Sequence, residues 1–240
     1  MRWLVATVAD TVRETADAVS LCLDLANWAG HRAGQHVDVR LTAEDGYSAQ
    51  RSYSIASEPE RTGEIDITVE RIADGEVSPY LADELKPGDR IELRGPVGGY
   101  FVWEPPQGGP LLLVAGGSGI APLMAMIRLR AAAGSDVDTR LLLSSRSWDD
   151  IIYRDELQRL NGNGLTVTHT LTASQPPGWA GYARRVDADM LAEVGPGPDE
   201  RPRVYVCGPT PFVEAVAEAL VHLGHQPQYI RTERFGPTGS

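Results

Sequence analysis

Four short stretches hold residue types able to bind or move charge. Arg51-Ser52-Tyr53-Ser54 reads as part of a strand over residues 51–57, with a period of two. Arg51 and Tyr53 then share one face and Ser52 and Ser54 the other. An Arg fork suits a phosphate and a Tyr ring offers a flat apolar wall, although an edge strand with a solvated Arg and a core Tyr reads equally well from these residues alone. Gly116-Gly117-Ser118-Gly119-Ile120-Ala121-Pro122 follows the apolar run Leu111-Leu112-Leu113-Val114-Ala115. Glycine lets backbone approach a pyrophosphate, and the free N–H groups of the next helix face its charge. Gly117 and Gly119 keep the first half of the dinucleotide fingerprint, but Pro122 stands where its third glycine would be.

Gly75-Glu76-Val77-Ser78 leads into a predicted helix over 78–85, and its amides with the Ser78 hydroxyl could take a phosphate. As a plain N-cap, Ser78 followed by Pro79 is sufficient too. Val204-Tyr205-Val206-Cys207-Gly208-Pro209 ends an apolar strand at a Gly-Pro turn, where open α/β sheets hold ligands. Cys207 alternatively fills a small buried apolar position.

These stretches need two kinds of scaffold. Strands are predicted at 3–12, 18–25, 36–41, 51–57, 64–72 and 90–94, with the 78–85 helix between the last two. Six short strands and one helix suggest a closed antiparallel barrel over residues 1–106. The Pro/Gly-rich segment 104–110 breaks the pattern. After it, apolar strands at 111–115, 140–144, 165–170 and 203–207 alternate with helices at 121–133, 149–160, 188–193 and 211–223. That rhythm predicts a Rossmann-like parallel-sheet α/β domain over residues 107–240.

Charge narrows the partners. The net charge is −11, and residues 1–106 carry 10 basic against 19 acidic side chains. An acidic surface argues against nucleic acid and anionic membranes. The longest uncharged apolar run, 111–127, holds three glycines and falls short of the roughly 20 residues a spanning helix needs. With no signal-peptide h-region visible, the reading is a cytoplasmic monomer. The five His show no ligand spacing; His222 and His225 alone do not make a metal site, so no metal is expected.

Taken together, Arg51-x-Tyr53-Ser54, Gly75-x-x-Ser78, Gly116 to Pro122, Cys207-Gly208-Pro209 and Glu233-Arg234-Phe235 resemble, in this order, the ferredoxin–NADP reductase family. The resemblance implies a FAD-binding barrel followed by an NAD(P)-binding domain, with hydride passing from nicotinamide C4 to flavin N5. It places Arg51 on a flavin phosphate, Tyr53 and Ser52 beside the flavin, and Ser54 near N5. Gly75, Glu76, Val77 and Ser78 take the second phosphate, while the backbone of Thr68, Val69 and Arg71 lines the flavin. Gly117, Ser118, Gly119, Ile120, Pro122, Gly208 and Pro209 belong to the nicotinamide-nucleotide site. Ser54, Cys207 and Glu233 build the hydride-transfer site, Cys207 without a nucleophilic role, and Phe235 covers the second flavin face. Five residues follow Phe235, where many relatives end at or near the aromatic.

Two cysteines cannot supply the four thiolates of a plant-type iron–sulfur cluster, so the electron acceptor is expected to be separate: a ferredoxin, another electron-transfer protein or a small acceptor. A diffusible-flavin or dye reductase, or a non-catalytic redox or regulatory subunit, are the alternatives. NADP is expected over NAD, which remains possible, with Arg146 and Arg184 as the 2′-phosphate partners. Those two side chains could instead pair with Asp149, Asp150, Asp155 or Asp187.

Overall fold

The computed structural model describes residues 2–43 and 45–236. Met1, Glu44 and the residues after Gly236 lie outside this range.

Six strands form the first sheet: β1 (Leu4–Arg13), β2 (Ala18–Asp24), β3 (His36–Thr42), β4 (Ser48–Ser54), β5 (Glu64–Glu70) and β6 (Arg90–Val97). They run in the order β4-β3-β6-β1-β2-β5, every pair antiparallel. An antiparallel bridge between Ile55 and Ile67 joins the two edges and closes the barrel. Alternation supplies its interior: Leu21 and Leu23, Val37 and Val39, Ile65, Ile67 and Val69 are all buried in one cluster. Beyond the Ile55 bridge, β5 pairs only with β2 among the described residues, so the outer backbone edge of Thr68 and Val69 is left without a strand.

Five parallel strands form the second sheet: β7 (Leu111–Gly116), β8 (Thr139–Ser145), β9 (Leu165–Leu171), β10 (Arg203–Pro209) and β11 (Ile230–Phe235). Helices α1 (Ile120–Ala132), α2 (Arg154–Leu160), α3 (Ala188–Val194) and α4 (Thr210–His222) connect them. The order β11-β10-β7-β8-β9 means that the chain leaves β7 in one direction and returns to its other side at β10. The crevice of such a sheet lies at that reversal, beyond the carboxyl ends of β7 and β10. The central strand β7 is buried along its whole length, as expected with both faces covered.

α1 is buried almost all round, from Ile120 to Ile127, because it lies between sheet and barrel. The core cluster containing it also takes in Ala18, Ala33 and Ala56 of the barrel. Polar staples reinforce this junction: Arg128 donates to the Ala56 carbonyl (2.9 Å) and grips Glu156 through two bonds. Tyr205 donates to the Val102 carbonyl at 2.8 Å.

The expected barrel and parallel α/β layers are thus present, with four corrections. The strand bearing Arg51 begins at Ser48 and ends at Ser54, because its polar first residues pair with Arg40 to Thr42 of β3 across a tight turn. The predicted 149–160 helix is only Arg154–Leu160. Ile151, Ile152 and Tyr153 are all buried, more than one helical stripe can bury, and the backbone takes φ +59° at Tyr153 to insert them. Ser78 does not cap its helix, which spans Tyr80–Glu84; its hydroxyl oxygen accepts from the Ile72 N–H at 3.0 Å instead. Finally, β11 was not predicted, and it carries two of the candidate site residues.

Candidate active site

Ser54 ends β4 opposite His36 of β3, on the face of the barrel that meets the second sheet. One residue back, Tyr53 pairs with Val37 and packs half-buried against the barrel core, and burial pushes its phenol up to about 12. Ser52 faces the other way and donates to Asp38 at 2.6 Å. Arg51, about half exposed, reaches across to the Gly75–Ser78 turn, where Glu76 meets its guanidinium at 2.9 Å and the Tyr47 hydroxyl at 2.7 Å. The two candidate phosphate sites therefore face each other.

The Gly75–Ser78 turn is tightly wound. A Cβ at Gly75 would lie 2.9 Å from the Ser78 Oγ and 3.1 Å from the Ile72 carbonyl. Val77 is fully buried in the barrel core, which anchors the turn. The Thr68 hydroxyl shares hydrogen bonds with the Ser20 hydroxyl (2.8 Å) and the Tyr153 hydroxyl, so only its backbone remains free toward a ligand. Arg71 pairs with Asp83 at 2.7 Å and gives its N–H to the Asp17 carbonyl, so neither its side chain nor its N–H is open to a ligand.

At the switch point, Gly117 adopts φ +55°, the left-handed region that favours glycine. A Cβ at Gly119 would fall 2.2 Å from the Cys207 carbonyl, so only glycine lets the α1 N-terminus sit against β10. The Ser118 hydroxyl donates to Glu70 of the barrel at 2.6 Å. Ile120 and Pro122 are buried at the start of α1.

β11 completes the site. It aligns Glu233 beside Cys207 and Phe235 beside Pro209. Cys207 is buried, and burial together with the Glu233 carboxylate holds its thiol well above the ordinary range, so it stays protonated. One Glu233 oxygen is buried without a partner, the other lies 3.7 Å from His36 Nδ1, and burial pushes this carboxyl up to about 7. Ser54 thus ends the barrel's edge strand, while Cys207 and Glu233 lie side by side on β10 and β11 of the second sheet. His36, which the sequence reading did not single out, joins Ser54 to Glu233; the signal that would have found it is its place opposite Ser54 in a strand pair.

A cleft of about 270 Å³ lies between the layers, lined by neither Ser54, His36, Cys207 nor Glu233. Gly116, Gly117, Pro209 and Phe235 line it, as do Arg146 and Asp17. Arg146 is shared by Asp17 (3.3 Å) and Asp150 (3.4 Å). Arg184 is not among the lining residues and holds Asp187 through two bonds. Pairing with Asp150 and Asp187 was the plain surface alternative for these two side chains.

A model of the oxidoreductase FAD-binding domain matches residues 6–102, and a model of the oxidoreductase NAD-binding domain matches residues 113–218. Ferredoxin--NADP reductase B of Sorangium cellulosum is 35% identical, over 85% of this chain and 84% of that protein. The chain belongs to the ferredoxin–NADP reductase family. It carries an oxidoreductase FAD-binding domain followed by an oxidoreductase NAD-binding domain.

Within the family, the glycine betaine monooxygenase reductase subunit of Pseudomonas aeruginosa is 34% identical over 95% of this chain. This chain spans 63% of that relative's length. Among solved structures, the FAD/NAD-binding domain of nitric oxide dioxygenase from Vibrio cholerae superposes with a TM-score of 0.87 and 25% identity, covering 98% of this chain and 99% of that one. The residues of this chain fit both groups: glycine cradles that admit no Cβ at Gly75 and Gly119, and an Arg51 fork facing the first of them. Among the described residues, no cluster of three metal-ligating side chains occurs and no helix is long and apolar enough to cross a membrane.

Proposed function

We propose that the chain takes hydride from NAD(P)H and passes electrons to a separate acceptor, with residues 1–106 holding FAD and residues 107–240 holding the nicotinamide nucleotide. The observation that supports this reading is the junction where His36, the strand partner of Ser54, lies 3.7 Å from Glu233, itself aligned beside Cys207, next to a glycine turn at the switch point.

Arg51 and the amides of Gly75 to Ser78 bind the two flavin phosphates, Glu76 giving up the guanidinium to them. Tyr53 supplies an apolar wall, and the outward-facing backbone groups of Thr68 supply hydrogen bonds. Gly117 to Ile120 and Gly208-Pro209 position the nucleotide. Bound FAD accepts electrons in pairs and can release them singly, which is the chemistry the protein itself lacks. The chain's task is position and desolvation: Cys207 fills the floor of the transfer site without ionising, and Glu233 presents a carboxyl whose proton is held near neutrality. Phe235, half-buried in the cleft wall, shields the site from water.

The named relatives include a monooxygenase reductase subunit and a ferredoxin reductase, which supports a protein acceptor over a diffusible dye. Mixing the purified yellow protein anaerobically with NADPH or NADH in a stopped-flow instrument tests the reading. Loss of the flavin absorbance band within the first second is the expected result; an unchanged spectrum would leave only a binding subunit.

A further inference from the structure

The cleft that holds the nucleotide in the reading above is electrically lopsided. Among the described residues that line it, Asp17, Glu70 and Asp150 bring three carboxylates, and Arg146 brings the one guanidinium. Arg146 follows the carboxyl end of β8, the strand after the glycine turn, which is where a nucleotide-binding α/β unit meets the adenosine ribose. A 2′-phosphate placed there needs a free guanidinium fork. One nitrogen of this fork, Nη2, is shared between two carboxylates from different layers: Asp150 on its own loop, and Asp17 in the β1–β2 turn of the barrel.

The two acids are not equivalent. Asp150 is fixed by the Ser147 hydroxyl at 2.7 Å, whereas the Asp17 carboxylate has Arg146 as its hydrogen-bond partner across the cleft mouth. The Asp17 main chain is pinned independently, its carbonyl accepting from the Arg71 N–H at 2.7 Å, so the residue stays at the cleft mouth whether or not Arg146 does. A 2′-phosphate drawn to Arg146 would compete with Asp17 for Nη2 and sit beside its carboxylate. A ribose 2′-hydroxyl carries no such penalty and can donate to a carboxylate.

We propose that Asp17 of the barrel is a specificity-determining residue that works against NADP by competing with its 2′-phosphate for Arg146. The selectivity of the α/β domain is then set partly by the other domain. The proposal rests on the nucleotide reading of the cleft.

Isothermal titration of the flavin-loaded protein with 2′,5′-ADP and with 5′-AMP tests it without turnover. Asp17→Asn should tighten 2′,5′-ADP about fivefold, the upper end for an exposed pair, and leave 5′-AMP within about twofold. In an Arg146→Ala background the same substitution should favour 2′,5′-ADP less than it does in the parent, because only the repulsion by the carboxylate is then relieved. Equal tightening of both ligands, or no change in either, overturns the proposal while leaving the nucleotide site in place. Failure of the parent protein to bind either fragment overturns the nucleotide reading itself, and this proposal with it.

Discussion

His36 Nδ1 lies 3.7 Å from Glu233 Oε1, joining the flavin-binding barrel to the last strand of the α/β sheet. The separation is too long for a hydrogen bond. Burial lowers the His36 pKa and pushes that of Glu233 up to about 7, so each environment favours the neutral form. Two titratable groups at one junction, both biased away from charge, hold a proton near neutrality next to Cys207.

The stability consequence has a definite sign. Glu233 binds its proton more tightly folded than unfolded, so stability falls as pH rises from about 4.5 to about 7 and is level above. The cost is on the order of 2–3 kcal/mol at pH 8. Glu233→Gln should therefore raise Tm at pH 8 by several degrees and leave it little changed at pH 4. Thermal melts at the two pH values check this; a pH-independent difference between the proteins would mean that the carboxyl is not the titrating group.

Cys207→Ala should retain flavin but slow its reduction by NAD(P)H about a hundredfold, the usual loss when a reacting centre is mispositioned. The parent thiol, kept protonated by burial and by Glu233, should also resist alkylation in the folded protein. Single-turnover reduction and thiol labelling measure the two effects. Parent-rate reduction in the variant would remove Cys207 from the site.

Sequence periodicity exposed the two layers because their cores are written locally: alternation in β2, β3 and β5, and unbroken apolar runs in β7 and β8. It missed β11 because Ile230-Arg231-Thr232-Glu233-Arg234-Phe235 is an edge strand whose polar residues face the barrel and the cleft rather than a core. Glu233 was reached through the family resemblance alone. Nor could spacing reveal Asp17 beside Arg146 or Thr68 beside Tyr153, partners 129 and 85 residues apart. Tyr153 was assigned to a helix because its left-handed backbone is imposed by the junction it plugs, and such tertiary demands leave no local signal.

Arg128 is the strongest polar staple between the layers. Its guanidinium bonds Glu156 at 2.9 and 2.6 Å and the Ala56 carbonyl at 2.9 Å, and lies 3.6 Å from Asp66. Arg128→Met should cost about 2–4 kcal/mol, because Glu156 would be left largely buried without its cation. A lowered denaturant midpoint with an unchanged secondary-structure spectrum is the expected result. A midpoint within experimental error of the parent would show that apolar contacts alone hold the layers together.

Arg51 and Glu76 set the grip on flavin. The pair is half exposed, so its ion pair adds little to stability, and a phosphate can displace Glu76 cheaply. Truncation acts differently on the two sides: Arg51→Ala removes the cation and leaves Glu76 to repel the phosphate. A hydrogen bond to a charged group is worth about 1.5–3 kcal/mol, so flavin affinity should fall roughly ten- to hundredfold. Glu76→Gln should instead tighten flavin modestly, since the competing carboxylate is gone. The flavin released by acid from the parent should be FAD, because two phosphate sites face each other where a mononucleotide needs one. Gel filtration followed by chromatography of the released flavin reads all three outcomes. Unchanged flavin content in Arg51→Ala would show that the fork is a surface ion pair and nothing more.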